Sequence, residues 1–408
     1  MTRTGESTTA GGIEAALLGE ALDVDARVLR LISREPLGRG SVTGFEVAAT
    51  GETGADAATT TWFVDTSGSS VRTETGMVSP DGERVWQHPA DPYLPALAPA
   101  AFGGAAEVLL ARLGLHAQEP PRMVGYRPGR RAVLRAPTAT GAVWVKVVRP
   151  SRIDSVIRAH EAFAAAGIPV PPVLGWSPEG LLVLGEAAGI PATDVVWDPD
   201  ALLAEVERLR RSIAMVTQPA PARTGLVDRL EWYRGRVAAG GADAAATDLI
   251  DRITPAALTP SRAGHTIHGD LHLGQLFLDG QGTDVRVVGL IDVDTAGRGD
   301  RRDDDAAFAS HAIASALLTE GWGDAPRAWA LAGSAVAAYA GPGVPERIAV
   351  HLLGHAIAAS ELGHADRSVR LTRAGHAVMD GSFPAAGMPA PAREDECKNG
   401  LMTHLAAP

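Results

Sequence analysis

The sequence is almost without cysteine. Its single thiol, Cys397, stands near the C-terminal end, so no intrachain disulfide can form and no thiolate metal cluster is expected. It also lacks any block of consecutive Lys and Arg, and the net charge is −11. Nucleic acid and anionic membrane surfaces are therefore not expected as main partners. Long hydrophobic runs are missing too. The least polar stretch, Ala328 to Ala340, is alanine-rich and falls short of the ~20 apolar residues that span a bilayer. Met1 to Gly5 has no apolar core of the signal-peptide kind, and no repeat at solenoid periods is visible. These absences lead to the expectation of a soluble, cytoplasmic protein. What is present, 46% hydrophobic and 21% charged residues over 408 positions, suffices for a core divided among two or three lobes.

One stretch organises the rest. Ile267-His268-Gly269-Asp270-Leu271-His272-Leu273-Gly274-Gln275 is followed by two apolar runs, Leu276 to Leu278 and Val285 to Ile291, and then by Asp292-Val293-Asp294. The runs read as a hairpin between two sets of oxygen groups. A lone His-Gly-Asp triplet would be an ordinary acidic loop. A carboxylate, an amide five residues on and a second carboxylate after a hairpin suit phosphoryl transfer. In that reading Asp270 accepts the proton of an attacking hydroxyl. Gln275 and Asp292 supply hard oxygen ligands to Mg²⁺, which keeps several waters and needs few protein ligands.

The same run resembles the signature of the aminoglycoside phosphotransferase family, with Gln275 where the family usually has Asn. Gln there is similar to bacterial maltokinases, whose motif also reads His-Leu-Gly-Gln. The continuation Asp292-Val293-Asp294-Thr295-Ala296-Gly297 through Asp303-Asp304 resembles actinobacterial glucosamine kinases. The resemblance covers about residues 80–380 and is strongest over 265–311. It implies an α+β, bilobal protein-kinase-like fold with a β-rich N-terminal cap. It further implies ATP and Mg²⁺ as cofactors and transfer of the γ-phosphate to a hydroxyl of a small amino sugar, glucosamine to glucosamine 6-phosphate.

The expected division is a disordered start (1–12), a cap (13–115), a small ATP-binding lobe (116–190), a helical lobe with the catalytic site (191–380) and a mobile end (381–408). In the cap, Val28 to Ile32, Phe45 to Val47, Trp62 to Val64 and Arg84 to Trp86 are candidate strands between turns. Tyr126 to Arg131 leads into a strand pair, Ala132 to Arg135 and Ala142 to Val148, that reads as a kinase small-lobe hairpin. Its turn, with Gly129 and Arg130, would lie over the nucleotide phosphates. Lys146 sits among apolar residues and must reach either water or an anion. Glu161, 15 residues on in the helical segment Ile153 to Ala166, is where a kinase keeps the carboxylate that pairs with its phosphate-binding Lys. Trp144 replaces the small residue usual two positions before that Lys. Glu186 and Ala187 would offer hinge backbone groups to adenine. A helix starts at Asp198, with Pro199 at its first position and one apolar face.

Toward the acceptor, His272, Asp294, Asp300 and Asp303 are the candidate substrate residues, while the resemblance makes Asp304 a brace of the catalytic region. His268 is expected to shape the loop through the backbone. His351 and His355, at i and i+4 without the Glu of a zinc-protease motif, read as packing or substrate contacts. Two rivals stay open. One is a drug-modifying or maltose-phosphorylating kinase. The other is a catalytically silent nucleotide-binding module, which Trp144 and the glycine-poor turn favour. Oligomeric state is not legible.

Overall fold

The computed structural model describes residues 12–48, 59–139, 141–217, 220–223, 225–240, 243–260 and 264–384. The expected disordered start and mobile end, with Cys397, fall almost wholly outside them. The chain divides into two compact units, residues 1–154 with 173–186 and residues 155–172 with 187–408.

The first unit opens with α1 (Gly12–Leu22) and an antiparallel sheet of β1 (Arg30–Leu37), β2 (Gly40–Ala48), β3 (Thr59–Asp65), β4 (Met77–Val78) and β5 (Arg84–Gln87), ordered β1-β2-β3-β5-β4. Strand β1 runs further than its apolar residues suggest, through Pro36 opposite Ser41. It is an edge strand, where a missing N–H costs little. Helices α2 (Leu97–Ala101) and α3 (Gly103–Ala111) lead to a second antiparallel sheet. Its strands are β6 (Arg122–Arg127), β7 (Arg131–Thr138), β8 (Gly141–Val148), β9 (Val173–Ser177) and β10 (Leu181–Leu184), ordered β6-β7-β8-β10-β9. Val42, Phe63, Trp86 and Leu97 share one hydrophobic cluster with Leu134, Val145 and Val183. The expected cap and small lobe are thus fused through a common core, because neither sheet covers its own apolar face alone.

The second unit contains α4 (Ile153–Ala165) from Ser155 onward, then β11 (Ile190–Pro191), α5 (Pro199–Ala214), α6 (Leu226–Ala239), α7 (Ala244–Arg252) and α8 (Pro255–Leu258). After them come β12 (His265–Ile267), β13 (Leu276–Asp279), β14 (Arg286–Leu290) and β15 (Gly297–Gly299). Four helices follow: α9 (Arg301–Leu318), α10 (Ala325–Ala338), α11 (Val344–Glu361) and α12 (Ala365–Met379). Local chemistry explains the α5 start: the Asp198 side chain accepts from the N–H groups of Asp200 and Ala201, and Pro199 follows. Its apolar positions Leu202, Val206, Leu209 and Ile213 are buried in the main core with Leu276, Leu290, Phe308 and Leu352. Each such side chain contributes roughly 1.5–3 kcal/mol by leaving water. Strands β11, β13 and β14 form one small sheet, β12 and β15 another. Among the described residues no helix is long and apolar enough to cross a membrane.

Candidate active site

The catalytic stretch lies wholly in the second unit, and hydrogen bonds from three directions hold it. Asp270 stands three residues beyond the end of β12. Before it, the N–H groups of His268 and Gly269 donate to the two oxygens of Asp304, at 2.9 and 2.7 Å. Asp304 sits in the first turn of α9 and is only 2% exposed. Gly269 has φ +86°, and a Cβ there would stand 2.8 Å from the carbonyl oxygen of Thr295. Both the conformation and the close approach call for glycine. His268 is fully buried, and its Nε2 lies 3.1 Å from the carbonyl oxygen of Ile291, which accepts from it. The Thr295 hydroxyl donates to the His268 carbonyl at 2.9 Å.

Beyond Asp270 the chain makes a short 3-10 turn, Leu273–Gln275, closed by a capping box. The Gly274 N–H donates to Nδ1 of His272 at 3.1 Å, and the His272 N–H donates to Oε1 of Gln275 at 3.3 Å. Gln275 ends where β13 begins, and its carbonyl accepts from the Ile291 N–H at 3.0 Å. That bond places the amide residue opposite the end of β14, one residue before Asp292. Asp292 adopts φ 64° and ψ 43°, a left-handed conformation that few side chains besides Asn and Asp tolerate. The β13–β14 register therefore converts a long separation in sequence into neighbouring backbone positions.

The donor set suits a hard divalent cation. Asp292 offers a carboxylate, and among the described residues Gln275 Oε1 accepts one long bond, leaving a second lone pair for a metal. The Gln275 Nε2 is buried with no hydrogen-bond partner among the described residues. Asp294 is half-exposed in the turn Val293–Thr295.

Two acidic candidates for the acceptor prove to be otherwise engaged. Asp300 caps α9 through the Arg302 N–H at 3.0 Å and also accepts from Arg302 Nε at 3.0 Å. Asp303 accepts from Arg347 Nε at 2.8 Å, and Arg347 Nη2 stands 3.7 Å from Asp300. Arg347 is fully buried on α11 and also donates to the carbonyls of Gly343 and Thr259, at 2.9 and 3.2 Å. Asp300 and Asp303 therefore pin α9 to α11; a buried carboxylate needs such a partner. These pairings give Asp300 and Asp303 a bracing role between α9 and α11.

The first unit modifies two further expectations. The β6–β7 turn is packed on the N-terminal segment: the Gly129 N–H donates to Oδ2 of the buried Asp91 at 2.7 Å, and Arg127 pairs with Glu35 at 2.8 Å. Arg130 donates to the Pro36 carbonyl, so its guanidinium is turned to the cap. Lys146 is 6% exposed on β8, opposite Val133 and Leu182. Glu161, in the second unit, is exposed, whereas the buried face of α4 carries Val156, Ile157, His160 and Phe163. One boundary between the units falls between Glu186 and Ala187; the Glu186 carboxylate lies 3.8 Å from Arg135.

The structure adds a residue that the sequence did not single out. His311, on α9, stacks on His272 with centroids 4.4 Å apart, and its Nε2 is 4.0 Å from Oδ1 of Asp270. His355 and His351, from α11, lie 4.8 and 6.4 Å from it. Burial, followed by the charges of the neighbouring rings and Arg229, holds His311 well below the usual imidazole range. Burial and Arg229 lower His351 likewise, and His355 to about 4. The i, i+4 spacing of His351 and His355 was visible; that it met His311 was not.

No curated protein matches the chain. It is similar to the solved structure of a thermostable mutant of an aminoglycoside phosphotransferase, at 15% identity over 67% of this chain and 97% of that one, with a TM-score of 0.47. A choline/ethanolamine kinase family protein from Mesorhizobium loti is similar at 18% identity over 68% and 94% of the two chains, TM-score 0.45. A macrolide 2'-phosphotransferase from Brachybacterium faecium gives 16%, 71% and 99%, TM-score 0.39. Residues 129–341, just over half of the chain, match the profile of the phosphotransferase enzyme family, a span that encloses Lys146, Asp270, Gln275, Asp292 and Asp304. The chain belongs to the phosphotransferase enzyme family.

Proposed function

We propose that this phosphotransferase is an ATP- and Mg²⁺-dependent kinase whose acceptor is a hydroxyl of a small amino sugar, glucosamine first among them, giving glucosamine 6-phosphate. The observation that carries the reading is the double anchoring of the Asp270 loop by Asp304, with Gln275 bonded to Ile291, the residue before Asp292, where β13 meets β14. Asp270 would take the proton as the acceptor oxygen bonds to the γ-phosphorus and ADP departs. Gln275 and Asp292 would hold the Mg²⁺ that neutralises charge on the phosphates, and the buried Lys146 would add a point charge to them. Of the carboxylates expected to meet the ammonium group, Asp294 is half-exposed in the turn Val293–Thr295. A charge-assisted hydrogen bond from glucosamine to Asp294 would favour it over glucose by roughly 1.5–3 kcal/mol.

The test is an ADP-release assay with glucosamine, glucose, N-acetylglucosamine, maltose and kanamycin, run on the wild type and on Asp270→Asn. Glucosamine should lead the panel, and the variant should lose roughly 10²–10⁴ in turnover. If maltose or kanamycin outperforms glucosamine, the amino-sugar assignment is wrong. Near-normal turnover in Asp270→Asn would remove the base from the site.

A further inference from the structure

Three imidazoles cluster around His311, which approaches Asp270, and make no side-chain hydrogen bond among the described residues. His311, His351 and His355 are half-buried, and among the described residues they meet other groups only through ring contacts and the 4.0 Å approach of His311 to Asp270. A neutral imidazole carries one donor and one acceptor, so three partly exposed rings offer several groups that a polar ligand can engage in place of water. A shared metal ion does not account for the arrangement. His272 and His311 lie face to face, with 21° between their planes, and His355 stands edge-on at 87°. Their in-plane lone pairs therefore do not converge, and no group of three or more His, Cys, Asp or Glu among the described residues could hold a metal.

The separation of 4.0 Å is itself informative. It is too long for a direct hydrogen bond from His311 to Asp270. An oxygen seated off the line between the two atoms, about 2.8 Å from each, would see them at about 90°, which a hydroxyl can satisfy. We propose that His311 holds the acceptor hydroxyl opposite Asp270, and that His351 and His355 extend the same wall to neighbouring hydroxyls of a polyhydroxylated acceptor.

This rests on the reading of Asp270 as the base. The acceptor hydroxyl donates to Asp270, accepts from Nε2–H of His311 and keeps a lone pair for phosphorus. His272, whose Nδ1 is engaged by Gly274, supports the His311 ring from its other face. Arg229, on α6, contributes the nearby positive charge. An ammonium group is not stabilised beside it, so the amino end of the acceptor points away from the imidazoles.

The test measures KM for the best acceptor of the panel and for ATP in wild type, His311→Phe and His311→Gln, with thermal melting as the check on folding. Phe keeps the stacked shape and removes both nitrogens; Gln restores a donor. Acceptor KM should rise about tenfold in His311→Phe and stay within about threefold in His311→Gln, with ATP KM within about twofold in both. Unchanged acceptor KM in the Phe variant, or ATP KM rising in step with it, overturns the proposal. Should His311→Phe fail to fold, His311→Met takes its place under the same criterion. A wild type that turns over no acceptor overturns the kinase reading and this one with it. An active wild type with indifferent His311 variants overturns this one alone.

Discussion

Replacing Asp304 with Asn tests the idea that α9 fixes the catalytic loop. The wild-type carboxylate accepts two backbone N–H groups, from His268 at 2.9 Å and Gly269 at 2.7 Å. Hydrogen bonds to a charged group contribute about 1.5–3 kcal/mol each, against about 0.5–1.5 for neutral pairs. Asn keeps the shape and one oxygen but turns its NH₂ toward the second N–H. One charged bond is lost, and the other is reduced to a neutral one. The neutral side chain recovers part of this by relieving the burial of a charge only 2% exposed. The expected net loss is about 2–3 kcal/mol. It should appear in urea unfolding as a lower midpoint with an unchanged slope, since the surface exposed on unfolding is the same. Asp270 is the residue after Gly269, so a shift of the loop by about 1 Å should also cost on the order of 10² in turnover, under conditions where the protein remains folded. A variant less than 1 kcal/mol weaker with wild-type turnover would refute the bracing role.

Two further outcomes are expected. Arg347→Met leaves Asp300 and Asp303, 3% and 4% exposed, without their shared cation, and should cost about 3–5 kcal/mol in chemical denaturation; a loss under 1 kcal/mol would show that the pair is not what holds α9 to α11. The half-buried histidines should make stability pH-dependent. His355 has its pKa lowered to about 4, chiefly by burial, so the unfolded chain takes up a proton below about pH 6.5 that the folded chain refuses. That contribution is fully present above about pH 6.5 and is lost as pH falls toward 4, by roughly 3 kcal/mol at most. Urea midpoints at pH 7, 6 and 5 should fall less steeply for His355→Gln than for wild type, and parallel curves would contradict this.

The changed roles of Asp300 and Asp303 also narrow the chemistry of the acceptor site. Reading three acidic residues near one motif, Asp294, Asp300 and Asp303, suggested an anionic pocket for an ammonium group. With two of them paired to Arg347 and Arg302, the groups that stand beside Asp270 are His311 and the rings packed on it. Discrimination by hydroxyl geometry then matters at least as much as discrimination by charge.

What the sequence determined by itself is short-range or motif-borne. Asp198 before Pro199 announced a helix start because capping acts over three residues. The spacing of Asp270, Gln275 and Asp292 announced phosphoryl transfer because a turn and a hairpin bring such groups together whatever surrounds them. Tertiary structure alone decided the pairings across distance. Asp91 meets Gly129, 38 residues on, and Asp303 meets Arg347, 44 residues on. His311 meets His272 and His355 across three separate elements. Local pattern shows that Arg347 lies on a helix and that Asp303 carries charge. It cannot show that the two share a buried site, because that is set by how α9 and α11 pack, and the cost of burying either charge alone then makes the pairing obligatory.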